Sequence, residues 1–393
     1  ETALFQFGKG DKYFGVCAMM VTMPGLPMFA HGQIEGFAEK YGMEYRYAKW
    51  DEQPDWEFMR RHEREIFPLM KRRHLFAEVR NFLLYDFFAP EGYVNEDVFA
   101  YSNCTGDERA LVIYHNKYAS ARGWVRTSAA YSLKAGEGEE RRLIQKTLGE
   151  GLGLTSDNTY FTIFRDHVTG LEYIRSSREL WEKGLYVELD AYKYHIFTDF
   201  REVRDNQWQQ YAQIANYLNG RGAPSVEDVF KEILLQPIQH AFKELINANL
   251  FRRLIEARVF QADVKPDQTI IEEIEQKMVD LLLEAKKLSG GSKEERPVAR
   301  EVRQKLEVIL RLPAISGRFP WVDARDVTKE KFWTLLSWLF VHTLGTVVNQ
   351  KDVPELSRSW IDEWRLGKTI VSVLGELGLD ETASWGSITL IKL

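Results

Sequence analysis

His31, Gln33 and Glu35 stand at alternate positions in the segment Pro24-Gly25-Leu26-Pro27-Met28-Phe29-Ala30-His31-Gly32-Gln33-Ile34-Glu35-Gly36. All three side chains form hydrogen bonds readily. An apolar helical run precedes them. A buried run that ends in a polar, glycine-bracketed mouth is how a parallel α/β barrel delivers residues to its active-site face. Two uses stay open for the trio: contact with a bound ligand, or a loop network that closes the rim. Tyr41, Tyr45 and Trp50 follow in a charged, aromatic loop. Each combines an apolar ring with a polar handle, suited to stacking on a ligand or to packing beneath the loop.

Elsewhere the chemistry-bearing residues are scattered. Glu63 and Glu65, with His62, read as the solvated side of a helix. The eight histidines show no metal spacing, and neither HExxH nor CxxC occurs, so no metal or cofactor is expected. Gly149-Glu150-Gly151-Leu152-Gly153-Leu154 has no buried strand directly before it and reads as a flexible turn rather than a phosphate loop. Trp333, Leu336, Trp338 and Leu339 share a helix face and read as core.

The elements that must position these residues sit in a chain of 393 residues, long enough for two or three domains. Its 45% hydrophobic and 28% charged residues are ordinary globular composition. A net charge of −6 without a strongly basic run gives no reason to expect nucleic acid. No apolar stretch reaches the ~20 residues that span a bilayer, and no secretory signal is visible, so no membrane partner is expected. Cys17 and Cys104 read as free thiols of a reducing compartment, which points to a cytoplasmic location. Glu1 at one end and Ser387 to Leu393 at the other read as the cut ends of a piece of a longer polypeptide.

Along the chain, Asp11 reads as the cap of a helix through Met20, ended by Pro24-Gly25. Leu26 to Ala30 reads as a short strand buried on both faces. A helix follows from Pro54, broken at Pro68. From residue 91 the pattern turns to short strands: Val98–Ser102 and Ala110–Tyr114 around the turn Cys104 to Asp107, then Tyr160–Phe164, Leu171–Ile174, Leu185–Leu189 and Tyr194–Thr198. This predicts an antiparallel sandwich packed on the helix of residues 55–67. Lys134 to Arg142 reads as an exposed loop. After Phe200 the periodicity is helical, with Asp205 capping a run to Leu218, a capping-box-like start at Ser225, and a flexible break at Ser289-Gly290-Gly291-Ser292.

The segment Pro24 to Gly36 resembles the last barrel strand of the α-amylase superfamily (glycoside hydrolase family 13), which commonly reads P-G-x-P-x-x-Y-x-G-[DQ]-E-x-G. Ala30 stands where the family usually has Tyr, and Ile34 fills the slot of its Glu, with Glu35 one place later. Asp107 to Asn116 and Gly184 to Phe200 resemble early and closing strands of the family's β-domain. The resemblance covers about half the chain. It implies residues 1–90 as the last βα portion of a (β/α)8 TIM barrel and 91–201 as an antiparallel β-sandwich; the helical periodicity makes 202–393 an all-α region, which the usual architecture of that family lacks.

The resemblance also implies a C-terminal portion of a glycoside hydrolase or transglycosylase acting on α-glucans. The alternative is a non-catalytic carbohydrate-binding or interaction scaffold. In the family a nucleophilic Asp, an acid/base Glu and a third, sugar-clamping Asp all precede the last strand, so no catalytic residue is assigned and this chain alone is expected to be inactive. His31, Gln33, Glu35, Tyr41, Tyr45 and Trp50 are the substrate-binding candidates. The implied partners are an α-glucan or oligosaccharide and the remainder of the barrel, in the same protein or a separate chain.

Overall fold

A computed structural model describes residues 2–39, 46–134, 141–261, 263–315, 329–348 and 352–393. Residues 1–230 and 231–393 form two compact units.

The first unit opens with five helices: α1 (Ala3–Phe7), α2 (Asp11–Thr22), α3 (Trp56–Glu65), α4 (Phe67–Lys71) and α5 (Arg73–Phe76). Gly10, not Asp11, occupies the N-cap of α2. Asp11 lies in the first turn, where a carboxylate suits the helix dipole, and it pairs with Arg61 and Lys193 at 2.7 Å each. Pro68 stands at the start of α4, after the break at Ile66. Asp55 caps α3 by accepting the Phe58 amide.

The strand expected at Leu26 to Ala30 is absent. These residues run without a β-partner, and Leu26 and Met28 are 85% and 72% exposed. Composition favours a buried strand here, but burial needs a neighbouring strand. None of the described strands pairs with this segment, and the carbonyls of Met23 and Gly25 before it are taken by Arg73.

Ten strands follow: β1 (Leu83–Phe88), β2 (Val98–Thr105), β3 (Glu108–His115), β4 (Ala121–Ser128), β5 (Tyr131–Lys134), β6 (Arg141–Ile144), β7 (Tyr160–Asp166), β8 (Glu172–Ser176), β9 (Leu185–Leu189) and β10 (Tyr194–Arg204). Eight of them form one antiparallel sheet in the order β8-β7-β10-β3-β2-β1-β4-β9, and β5 pairs with β6. The expected two-sheet sandwich is therefore a single continuous ladder. It curls: its two edge strands, β8 and β9, line one cavity. The predicted hairpin closes at Gly106-Asp107, where Thr105 pairs with Glu108 and Gly106 takes φ +59°. β1 lies in the stretch read as barrel, because Leu83, Tyr85 and Phe87 alternate into the sheet's core.

Two short helices, α6 (Leu148–Gly151) and α7 (Ser177–Glu182), pack together. α6 corrects the flexible-turn reading of the glycine-rich run. A capping box between Thr147 and Glu150 starts it, and a Cβ on Gly149 would overlap the Trp181 ring. Helix α8 (Gln210–Leu218) has Asp205 accepting the Tyr211 and Ala212 amides. Helix α9 (Val226–Leu245) contains the division between the units.

The second unit is helical throughout its described residues: α10 (Ala248–Glu256), α11 (Gln268–Ser289), α12 (Glu295–Ile315), α13 (Lys329–Val341), a 3₁₀ turn, α14 (Val353–Glu363), α15 (Leu366–Glu376) and α16 (Glu381–Lys392). Gly290 ends α11 in the left-handed conformation that glycine tolerates best. Trp333, Leu336 and Leu339 lie in the core of this unit. Among the described residues no helix is long and apolar enough to cross a membrane.

In the first unit α2 crosses the sheet at close range, and a Cβ on Gly15 would overlap the Tyr114 ring of β3. Gly15→Ala should therefore destabilise the protein by about 1–3 kcal/mol through overpacking. Helix propensity alone would give a gain of ~1 kcal/mol. Urea unfolding of the two proteins measures the sign.

Candidate functional site

The polar segment after Ala30 folds into a tight turn. Gln33 N donates to Ala30 O at 3.1 Å and Phe37 N to Gly32 O at 2.8 Å. Gly32 takes φ +72°, and a Cβ there would also crowd Phe37, so glycine is required on two counts.

The three candidates of this turn diverge in environment. Gln33 is buried. Its Oε1 accepts the Ala30 amide at 3.0 Å and its Nε2 donates to the Tyr13 hydroxyl at 3.0 Å. It is a strut that ties the turn to α2. His31 is exposed at the tip. Glu35 is half-buried, and its backbone carbonyl accepts the Asp55 amide at 2.9 Å, tying the turn to the start of α3.

The Gln33 chain continues inward. Tyr13 Oη lies 3.0 Å from His62 Nε2, and His62 Nδ1 lies 3.0 Å from Phe58 O. A carbonyl only accepts, so Nδ1 carries the proton, Nε2 accepts from Tyr13, and Tyr13 accepts from Gln33. Phe14 and Phe58 rings lie 4.9 and 4.6 Å from the imidazole. Burial, with the Arg61 charge nearby, lowers the His62 pKa and keeps the ring neutral. Burial likewise raises the Tyr13 pKa and pushes the Cys17 thiol up to about 11. Cys17 and Cys104 are both free thiols.

The solvated-face reading of α3 needs correction. Glu63 is exposed, but His62 and Glu65 are buried. Burial would raise the Glu65 pKa, but hydrogen bonds from Tyr194, Arg64 and Arg61 prevail and lower it. The Tyr194 bond is 2.7 Å long and fastens α3 to β10.

The aromatic loop is closed at its base by two carboxylates. Glu39 accepts the amides of Lys49 and Trp50, while Glu52 accepts those of Ala38 and Glu39, at 2.7–3.0 Å. Trp50 is 59% exposed. Tyr41 and Tyr45 lie outside the described residues.

Glu39 and Glu52 are engaged by backbone amides, and Asp55 by the α3 cap and Lys9 at 3.0 Å. Among the described residues no cluster of three or more His, Cys, Asp or Glu is placed to hold a metal. The sequence reading missed Tyr13 and His62 as the partners of Gln33. Their alignment on one face is visible only once α2 and α3 are packed together.

No family model matches the chain, and no curated protein matches it. Among solved structures, α-amylase from Geobacillus thermoleovorans complexed with acarbose is similar at a TM-score of 0.29 and 14% identity, over 49% of this chain and 33% of that chain. The likeness thus spans a third of that enzyme, at a score too low to establish a shared fold.

Neutral His62 makes stability depend on pH. A folded pKa below the unfolded value of about 6.5 means that unfolding takes up a proton, so stability falls as pH drops below about 6.5 until the folded pKa is passed. The expected slope is at most about 1.4 kcal/mol per pH unit from this group. His62→Gln should flatten the loss between about pH 7 and pH 5, as read from paired denaturant titrations.

Proposed function

We propose that this chain is the C-terminal portion of an α-amylase-like glycoside hydrolase or transglycosylase acting on α-glucans, with the catalytic carboxylates upstream. The observation that carries the reading is the segment Pro24 to Gly36. It resembles that family's last barrel strand, apart from Ala30 and Ile34, and its apolar side chains Leu26 and Met28 are exposed. The Leu26 and Met28 amides have no hydrogen-bond partner among the described residues. A strand of a parallel barrel, deprived of its neighbours, presents these features. The order of elements supports it further: helix α2, extended segment, polar turn, helix α3, then an antiparallel sheet that ends with β10.

On this reading residues 1–90 complete a barrel, 91–201 belong to the sheet domain that packs on it, and 202–393 add a helical domain. His31, Glu35 and Trp50 belong to the sugar-binding rim together with Tyr41 and Tyr45, and Gln33 positions the turn that carries them. The partners are an α-glucan and the remainder of the barrel, and the location is cytoplasmic. One observation favours the non-catalytic scaffold instead: Ile34 stands in the slot where the resembled family carries its Glu.

Turnover of maltoheptaose separates these readings. The intact protein should release shorter sugars, while the 393-residue chain alone should release none, since on this reading the acid and the nucleophile for the glycosidic bond lie upstream. Trp50→Ala in the intact protein should raise KM several-fold with kcat little changed, the mark of lost uniform binding. Hydrolysis by the isolated chain would overturn the upstream placement of the acids. Binding without turnover by the intact protein would establish the scaffold.

A further inference from the structure

The two edges of the curled sheet do not pair with each other. Between β8 and β9, with α8 contributing to its wall, lies a cavity of about 900 Å³. That lies within the ~300–1,000 Å³ typical of small-molecule clefts.

His195 of β10 lines the cavity and is held from behind. Its Nδ1 lies 3.1 Å from Oδ2 of Asp166. Asp166 is fully buried and also accepts from the Val168 and Ile196 amides and the Thr169 hydroxyl. Burial would raise the Asp166 pKa, but the hydrogen bond and charge interaction with His195 prevail, and the carboxyl stays ionised below its usual range. An ionised carboxylate only accepts, so Nδ1 donates to it. Nε2, at the far side of the ring, has no partner among the described residues.

Arg175 of β8 adds donors. Its guanidinium is anchored by the carbonyls of Ile174 and Gly220, lies 5.9 Å over the Tyr173 ring, and interacts with the charge of Glu179. Asn216 and Asn219 bring two side-chain amides from α8 and its C-terminal cap. Tyr186 of β9 is 38% exposed and packs beside Trp124, offering an aromatic lip.

Two guanidiniums, Arg175 and Arg221, face two carboxylates, Glu179 and Glu188, so these lining side chains carry no excess charge of either sign. Nε2 of His195 and the two amides would lose water and gain no partner beside a purely apolar guest, at a cost. A guest with many hydroxyls on a partly apolar ring satisfies both conditions. We propose that the seam between β8 and β9 is a binding site for a neutral pyranose oligosaccharide, with hydroxyls on His195, Arg175, Asn216 and Asn219 and a ring face on Tyr186. That the sugar is an α-glucan rests on the function proposed above; the site itself does not.

Calorimetric titration of the 393-residue chain with maltotriose and with cellotriose tests it. The decisive variant is Asn216→Ala with Asn219→Gly. Alanine is the better helix former at 216, and Asn219 sits at φ 43° and ψ 49°, where glycine is unstrained. The pair of amides is thus removed without loss of fold, and the unfolding midpoint should stay at or above that of the parent. The expected result is saturable binding of maltotriose, weakened about ten-fold in the double variant. Binding of cellotriose instead, equally weakened, would support the site and count against the α-glucan reading. No binding of either sugar, or binding indifferent to the double variant, would overturn the site, whatever turnover the intact protein shows.

Discussion

In β3 every residue from Ala110 to Tyr114 is buried. Strand side chains alternate, so Leu111 and Ile113 enter the inside of the curl while Ala110, Val112 and Tyr114 face the other way. The second set packs with Tyr13, Phe14 and Phe58 of α2 and α3, and with Tyr101, Tyr194 and Ile196 of the neighbouring strands. A large apolar side chain contributes roughly 1.5–3 kcal/mol when fully buried. Two-sided burial of the central strands therefore demands a helical cover, and the first 76 residues provide it. The curl and the close passage of Gly15 over Tyr114 are consequences of satisfying both faces at once.

The polar groups inside that cover follow the same constraint. Tyr194 reaches across to Glu65, and Tyr101 lies 2.6 Å from the Thr22 hydroxyl. Buried polar atoms are tolerated when paired. Each of these pairs joins a strand to a helix, so hydrogen bonding fixes the register of a contact that apolar packing alone would leave free to slide.

Much of this was legible in the sequence. The run Leu185 to Leu189 alternates cleanly and its strand has the expected bounds, while the other expected strands are present with shifted or longer bounds. The helices of the second unit were visible in their periodicity and in the Gly290 stop. What failed did so for want of partners. Leu26 to Ala30 has the composition of a buried strand and no strand to pair with among the described residues. His62 and Glu65 look like solvent-facing residues until Tyr13 and Tyr194, 49 and 129 residues away, are brought against them. The run Gly149 to Leu154 suggested mobility because its glycines were visible and the Trp181 ring that requires one of them was not. In the candidate site, residue type marked Gln33 as polar but could not show whether it faces a ligand or the protein.

The carboxylates of Glu39 and Glu52 take on another meaning when the chain is considered over evolutionary time. Each gathers backbone amides from the opposite limb of the aromatic loop. Because the bonds go to main-chain donors, the closure is indifferent to side-chain identity in those limbs. The side chains of Ala38, Lys49 and Trp50 can therefore be exchanged while the bonds to their amides stay in place. Such an arrangement lets selection change the side chains at the closure without renegotiating the stability of the scaffold beneath it.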